Sequence, residues 1–125
     1  MSRDIVADGL NQIMNAKRVG KRELVISHAS KVLLSVLEMM KKNGAIEYVV
    51  SEDKLSISVS ILKVNMCRAV KPRYYVKASD VEKYLRRFLP SRNFGILAIS
   101  TSKGLMDQHE AKTNKIGGSI VAYFY

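Results

Sequence analysis

The sequence predicts an α+β fold of two small subdomains packed together, in the order α-β-α-β-β and then β-α-β-α-β. Three observations predict it: amphipathic helical stripes alternating with short β-rich runs, one strict apolar/hydroxyl alternation near mid-chain, and a shift in charge balance between the halves. The chain has 125 residues, 47% apolar and 26% charged, the balance of one compact unit or two very small ones sharing a core. Such a length buries enough surface to fold without a disulfide or a metal. We assign residues 1–62 to the first subdomain, 63–72 to a linker and 73–125 to the second.

From Asp4 to Ala16, the residues Ile5, Val6, Leu10, Ile13 and Met14 recur at helical spacing. Gly9 inside that stripe costs about 1 kcal/mol against Ala, so a close approach of backbone is expected there. The helix runs out into the basic stretch Lys17-Arg18-Val19-Gly20-Lys21-Arg22, which on charge alone reads as a solvated helix end. Leu24-Val25-Ile26 is a short strand. Ser30 caps a second helix with apolar positions Val32, Leu33, Val36, Leu37 and Met40. Lys41 and Lys42 suit its negative end, and Gly44 suits a left-handed exit. Ile46–Val50 is a strand, and Leu55-Ser56-Ile57-Ser58-Val59-Ser60-Ile61 alternates with period two, a half-buried strand with its serines outward.

The stretch 63–72 has weak periodicity and several basic residues, as a linker would. Tyr74-Tyr75-Val76 follows as a brief strand. Ser79-Asp80-Val81-Glu82 has the spacing of a capping box, opening a helix that buries Val81, Tyr84, Leu85 and Phe88 and stops at Pro90. Phe94–Thr101 is a strand, Ser100-Thr101-Ser102-Lys103-Gly104 a polar turn, and Asp107 with Glu110 caps a short helix. Gly117-Gly118 breaks the chain before a last strand, Ser119–Phe124.

Charge narrows the function. The chain carries a net +10; residues 1–62 hold nine basic and seven acidic groups, residues 63–125 twelve and four. A surplus of that kind on a small domain points to a polyanion, nucleic acid before anionic membrane. No apolar run approaches the roughly 20 residues of a membrane span. The start, Met1-Ser2-Arg3-Asp4-Ile5-Val6-Ala7-Asp8, places two acids where a secretory or mitochondrial leader avoids them, so the expected compartment is the cytosol. The lone Cys67 fits a reducing environment and reads as a small buried hydrophobe.

Catalysis finds little support. The histidines are His28 and His109, no His/Cys/carboxylate set has zinc spacing, and Lys103-Gly104 lacks the glycine frame of a phosphate-binding loop. No cofactor, metal or small-molecule substrate is expected. The segment Ser100, Thr101, Ser102, Lys103 and Gly104 instead combines short hydroxyls, a cation and a flexible hinge. That combination can contact phosphates and ribose 2′-hydroxyls in the shallow minor groove of RNA. The alternative is a turn that spends its hydroxyls on its own backbone. Tyr74, Tyr75, Tyr123 and Tyr125 could stack on bases, although aromatics in short strands are core residues more often.

These motifs together resemble a known family. Leu89-Pro90-Ser91-Arg92-Asn93-Phe94-Gly95, Ser100-Thr101-Ser102-Lys103-Gly104-Leu105-Met106-Asp107, Glu110-Ala111-Lys112 and Gly117-Gly118 are similar to the universal small-subunit ribosomal protein family number eight. The Leu-Pro-Ser-Arg lead-in and the ending Tyr123-Phe124-Tyr125 look like its eukaryotic branch, fifteen-a. In the first half, Asp8-x-Leu10-x-x-Ile13-x-Asn15-Ala16, Gly20-Lys21, Ser30-Lys31-Val32 and Gly44-x-Ile46 agree. Leu62-Lys63 and Asn65-Met66 depart from the Gly-Arg and Asn-Lys usual there, as do Ala98 and Thr113 from the usual larger aliphatic and basic residues.

The resemblance implies a structural constituent of the small subunit that binds the central domain of its rRNA directly and supports folding and assembly, beside neighbouring ribosomal proteins. It implies rRNA contact by Ser100, Thr101, Ser102, Lys103 and Gly104, with Gly117 and Gly118 giving close approach. In the first half it implies contact by Asn15, Lys17, Arg18, Lys21 and Lys31, and Pro72-Arg73 matches the family's central Pro-Arg, placing Arg73 in the set. Two other readings are a non-ribosomal RNA-binding regulatory module and a small phosphate-handling enzyme. The enzyme would use Lys103 with Asp107, His109 or Glu110.

Overall fold

The computed structural model describes residues 5–28, 30–53, 56–70, 73–90 and 94–125. The chain divides into two compact units, Met1–Cys67 and Arg68–Tyr125.

The first unit is a three-stranded antiparallel sheet with two helices against it. Helix α1 (Ile5–Arg18) buries Val6, Leu10, Ile13 and Ala16; the Asp4 start expected for it lies outside the described residues. Gly9 faces helix α2 (Lys31–Lys42), where an added Cβ would stand 2.9 Å from Leu33 Cδ1. The glycine is therefore explained by helix–helix approach. At the start of α2, Ser30 Oγ accepts from the Leu33 amide at 3.1 Å, satisfying an orphan donor of the first turn. At its end Gly44 takes φ 74 and the Ala45 amide reaches back to the Met40 carbonyl at 2.9 Å, the bonding of a Schellman exit.

Strands β1 (Glu23–Ile26), β2 (Ile46–Val50) and β3 (Ile57–Ile61) form a sheet in the order β1-β3-β2. The register sets Leu24, Val59 and Tyr48 in one row and Ile26, Ile57 and Val50 in the next, all on one face as period two requires. The expected strand start at Leu55 lies, with Lys54, outside the described residues. Tyr48 also ties the sheet to α2: its hydroxyl donates to the Glu38 carboxylate at 2.6 Å. Burial, then that carboxylate, push the phenol up to about 12.

The second unit carries a sheet in the order β4-β8-β6-β7, with β5 also paired to β8. Its elements are β4 (Cys67–Ala69), β5 (Tyr75–Val76), α3 (Val81–Phe88), β6 (Ile96–Thr101), β7 (Gly104–Met106), α4 (Gln108–Thr113) and β8 (Gly118–Phe124). Val76, Val81, Leu85, Leu97, Ile99 and Ile120 lie in its core, with Tyr74, Tyr84, Phe88 and Tyr123 packed at the margin.

Four expectations change. The 63–72 stretch contains β4, and the Val70 amide continues its pairing to the Val121 carbonyl at 2.9 Å; Lys71 and Pro72 lie outside the described residues. The capping box does not form. Ser79 instead sits in a single 3-10 turn, Ala78–Asp80, and Asp80 at the N-cap of α3 makes no side-chain cap bond. Glu82 is drawn away to Lys112, 2.7 Å from its carboxylate. Third, the strand expected from Phe94 begins at Ile96; Ser91, Arg92 and Asn93 before it lie outside the described residues. Fourth, the polar turn leads straight into β7, which is too short to show alternation in the sequence.

Gln108 opens α4 with its side chain turned inward. It is 2% exposed and acts as a strand partner: the Leu97 amide donates to its Oε1 at 2.9 Å, and its Nε2 donates to the Gly95 carbonyl at 3.0 Å. Asp107 does cap α4, accepting from the Glu110 amide at 2.8 Å.

Candidate nucleic-acid interface

The polar segment at the end of β6 is the tip of a β-hairpin. Thr101 pairs with Gly104, leaving Ser102 and Lys103 as the turn. Gly104 takes φ 104, the left-handed step that lets a tight turn rejoin a twisted ladder. The Thr101 hydroxyl closes the turn, donating to the Gly104 carbonyl at 2.7 Å and accepting from the Lys103 amide at 3.1 Å. One hydroxyl of the three is thus spent on the backbone. Ser100, Ser102 and Lys103 are exposed, and their side chains hold no partner among the described residues.

Behind the tip, the ladder aligns further groups. Ser100 pairs with Ser119 in β8, and Ser119 pairs with Tyr75 in β5. Directly opposed residues share a face, so Tyr75, Ser119 and Ser100 form one row leading to the hairpin. Tyr75 is 72% exposed, unlike Tyr74, Tyr123 and Tyr125, which pack against the core. Of the tyrosines that sequence reasoning grouped together, Tyr75 is the one whose ring is free to stack. Ser119 was missed altogether; only the strand register reveals it.

Gly117 and Gly118 have an internal reason to be glycine. A Cβ on Gly117 would overlap the Val76 carbonyl oxygen, and one on Gly118 the Ser100 carbonyl oxygen. Gly118 is buried, so its close approach is to the chain's own backbone. It acts on the hairpin by letting β8 press against β6. Arg73 is exposed, two residues ahead of Tyr75.

In the first unit, Asn15, Lys17 and Arg18 occupy the last turns of α1 and Lys21 follows the Gly20 reversal, all exposed. The structure brings these four to one helix end, while Lys31 is exposed at the start of α2. Lys17 Nζ donates to the Asn65 carbonyl at 3.2 Å, which fixes the ammonium without neutralising it. Among the described residues, Arg18, Lys21, Lys31, Arg73 and Lys103 have no ion-pair partner.

The family model for ribosomal protein S8 matches residues 4–125. The chain belongs to the ribosomal protein S8 family. It is 38% identical over 125 residues to the small ribosomal subunit protein uS8A of Schizosaccharomyces pombe, covering 97% of this chain and 96% of that protein. It is 41% identical over 129 residues to uS8 of Nanoarchaeum equitans, covering both chains fully, and 39% identical over 125 residues to uS8 of Kluyveromyces marxianus. The S8 family is one of structural proteins, and this member is not an enzyme.

Asp107 is occupied as a helix cap, while His109 and Glu110 face solvent. Among the described residues no His, Cys, Asp or Glu cluster could hold a metal ion, and no helix is long and apolar enough to cross a membrane. Cys67 is buried, its Sγ 3.5 Å from the Leu10 carbonyl. Burial pushes the thiol up to about 12, with Lys17 opposing weakly, so the nucleophilic thiolate is scarce at neutral pH.

Proposed function

We infer that the chain is a structural constituent of the small ribosomal subunit, working in the cytoplasm, that binds the central domain of small-subunit rRNA directly and supports its folding. The β6–β7 hairpin carries this reading. It offers a serine hydroxyl and an ammonium at its tip, both without a partner among the described residues, on a turn already rigidified by Thr101. A tip fixed in this way meets ribose hydroxyls and phosphates with little ordering cost. The row Ser100, Ser119 and Tyr75 extends the surface with two more hydroxyls and a ring suited to stacking on an unpaired base. Lys17, Arg18, Lys21 and Lys31 in the first unit, and Arg73 in the second, supply charge for the phosphate backbone, and the Asn15 amide supplies hydrogen bonds beside them. Gly104 shapes the turn, while Gly117 and Gly118 support it from inside.

The test is binding to a central-domain rRNA fragment across a salt series. Affinity falls steeply with salt, by about one counterion per phosphate neutralised. Replacing Ser102 and Lys103 together by Ala lowers affinity for the folded fragment by about ten-fold or more, and far less for random duplex. An equal loss on both RNAs sinks the site. Sedimentation decides the setting: the ribosomal reading requires the chain to travel with small subunits and leave them only in high salt, whereas a non-ribosomal RNA-binding module would not.

A further inference from the structure

Sheet β1-β3-β2 buries one face and leaves the other open. The outward positions fall into two rows: Glu23, Ser60 and Glu47, then Val25, Ser58 and Val49. Val25 is 61% exposed and Val49 70%, and they bracket Ser58 across three strands, about 10 Å apart. The two rows lie about 7 Å from each other. Glu23 and Glu47 are exposed and have no ion-pair partner among the described residues. None of the three strands carries a Lys or Arg, although the chain has 21 of them.

The strands of this face therefore carry the opposite charge to the net +10 of the chain. Two uncompensated carboxylates repel a phosphate backbone, so nucleic acid is disfavoured as its occupant. Two outward valines around a small hydroxyl leave a shallow apolar saddle. We propose that the open face of β1-β3-β2 docks a basic segment of another protein, with an apolar side chain over Ser58 between Val25 and Val49, and Lys or Arg side chains meeting Glu23 and Glu47. The row spacing fits an apolar and a basic residue two apart on a strand, or one turn apart on a helix. The surface is independent of the hairpin reading and stands or falls by itself.

The full chain carrying p-benzoylphenylalanine in place of Val25, or of Val49, is expressed in its own cells and irradiated, and the adduct peptide is identified by mass spectrometry. Both positions are expected to mark the same protein segment, one with Lys or Arg beside an apolar residue. Adding Glu23→Lys and Glu47→Lys to the same chain lowers the adduct yield by about ten-fold or more while the melting temperature stays unchanged. An RNA adduct, a segment without basic residues, no adduct from either position, or a yield indifferent to charge reversal overturns the proposal. Co-sedimentation with small subunits is read from the same cells, which separates failure of this docking surface from failure of the ribosomal reading.

Discussion

The Cα of Gly118 in β8 lies against the carbonyl oxygen of Ser100 in β6, with no room for a side chain between them. This contact joins the fold to its hairpin, because Ser100 is the last fully exposed residue before the turn that presents Ser102 and Lys103. Gly118→Ala forces the strands apart and lowers stability by about 1–3 kcal/mol, the usual cost of overpacking. Thermal unfolding measures it. Affinity for rRNA falls as well, because the carbonyl that must yield belongs to Ser100; a variant that melts lower but binds RNA undiminished would separate the two roles.

Thr101 and Ser102 make opposite predictions. Thr101→Val removes the bonds to the Gly104 carbonyl and the Lys103 amide, costing about 1–2 kcal/mol of stability. Ser102→Ala removes no bond to a described residue and leaves the melting temperature unchanged, while weakening rRNA binding. The paired comparison, by calorimetry and by RNA titration, distinguishes a turn that serves itself from one that serves a ligand. Equal melting losses in both variants would contradict the division of labour between these hydroxyls.

Local signals were legible in the sequence where a single element suffices to produce them. Ser30, Gly44 and Asp107 act at helix ends as their residue types dictate, and the alternation Ile57 to Ile61 appears as β3. Gly9 shows a cost that only close packing explains, and Leu33 is the neighbour that explains it. What the sequence hid depends on distant partners. β4 and β7 have three residues each and exist because β8 and β6 supply their hydrogen bonds. Ser79 and Glu82 match a capping box in spacing, yet a 3-10 turn and Lys112 claim the groups it needs. The hairpin tip could be read as polar and basic, whereas the alignment of Tyr75 and Ser119 with Ser100 exists only in the register.

Gln108 is another residue whose role is tertiary. Its amide gives the Leu97 N–H and the Gly95 carbonyl the partners that a neighbouring strand would otherwise supply. Gln108→Leu fits the space but strands both groups, and costs about 2–5 kcal/mol in denaturant unfolding. Gln108→Glu is more informative. Ionised, it still accepts from Leu97 but turns an oxygen toward the Gly95 carbonyl; protonated, it can donate there again. The Glu variant therefore gains stability relative to the parent as pH falls, and a pH-independent difference would argue against this bonding.

Cys67 gives the fold an alkaline limit. Its thiol is held up to about 12 in the folded chain against an ordinary value of 9.0, chiefly by burial. Between those values the unfolded chain has lost the proton and the folded chain keeps it. The unfolded state then binds fewer protons, so stability is full below about pH 9 and falls as pH rises. Tyr48 acts in the same direction from an ordinary value of 10.0, again toward about 12, through burial and its bond to Glu38. The two onsets can be separated. Cys67→Ala removes the decline that begins near 9 and leaves the one that begins near 10, whereas Tyr48→Phe does the reverse. Denaturant melts from pH 7 to 11 read both onsets. Thiol labelling at pH 8 supplies an independent check, because Cys67 reacts slowly in the native chain and rapidly once denaturant exposes it. Rapid labelling of the folded protein would mean that the thiol is not sealed, and the predicted slope would then be missing from the melts.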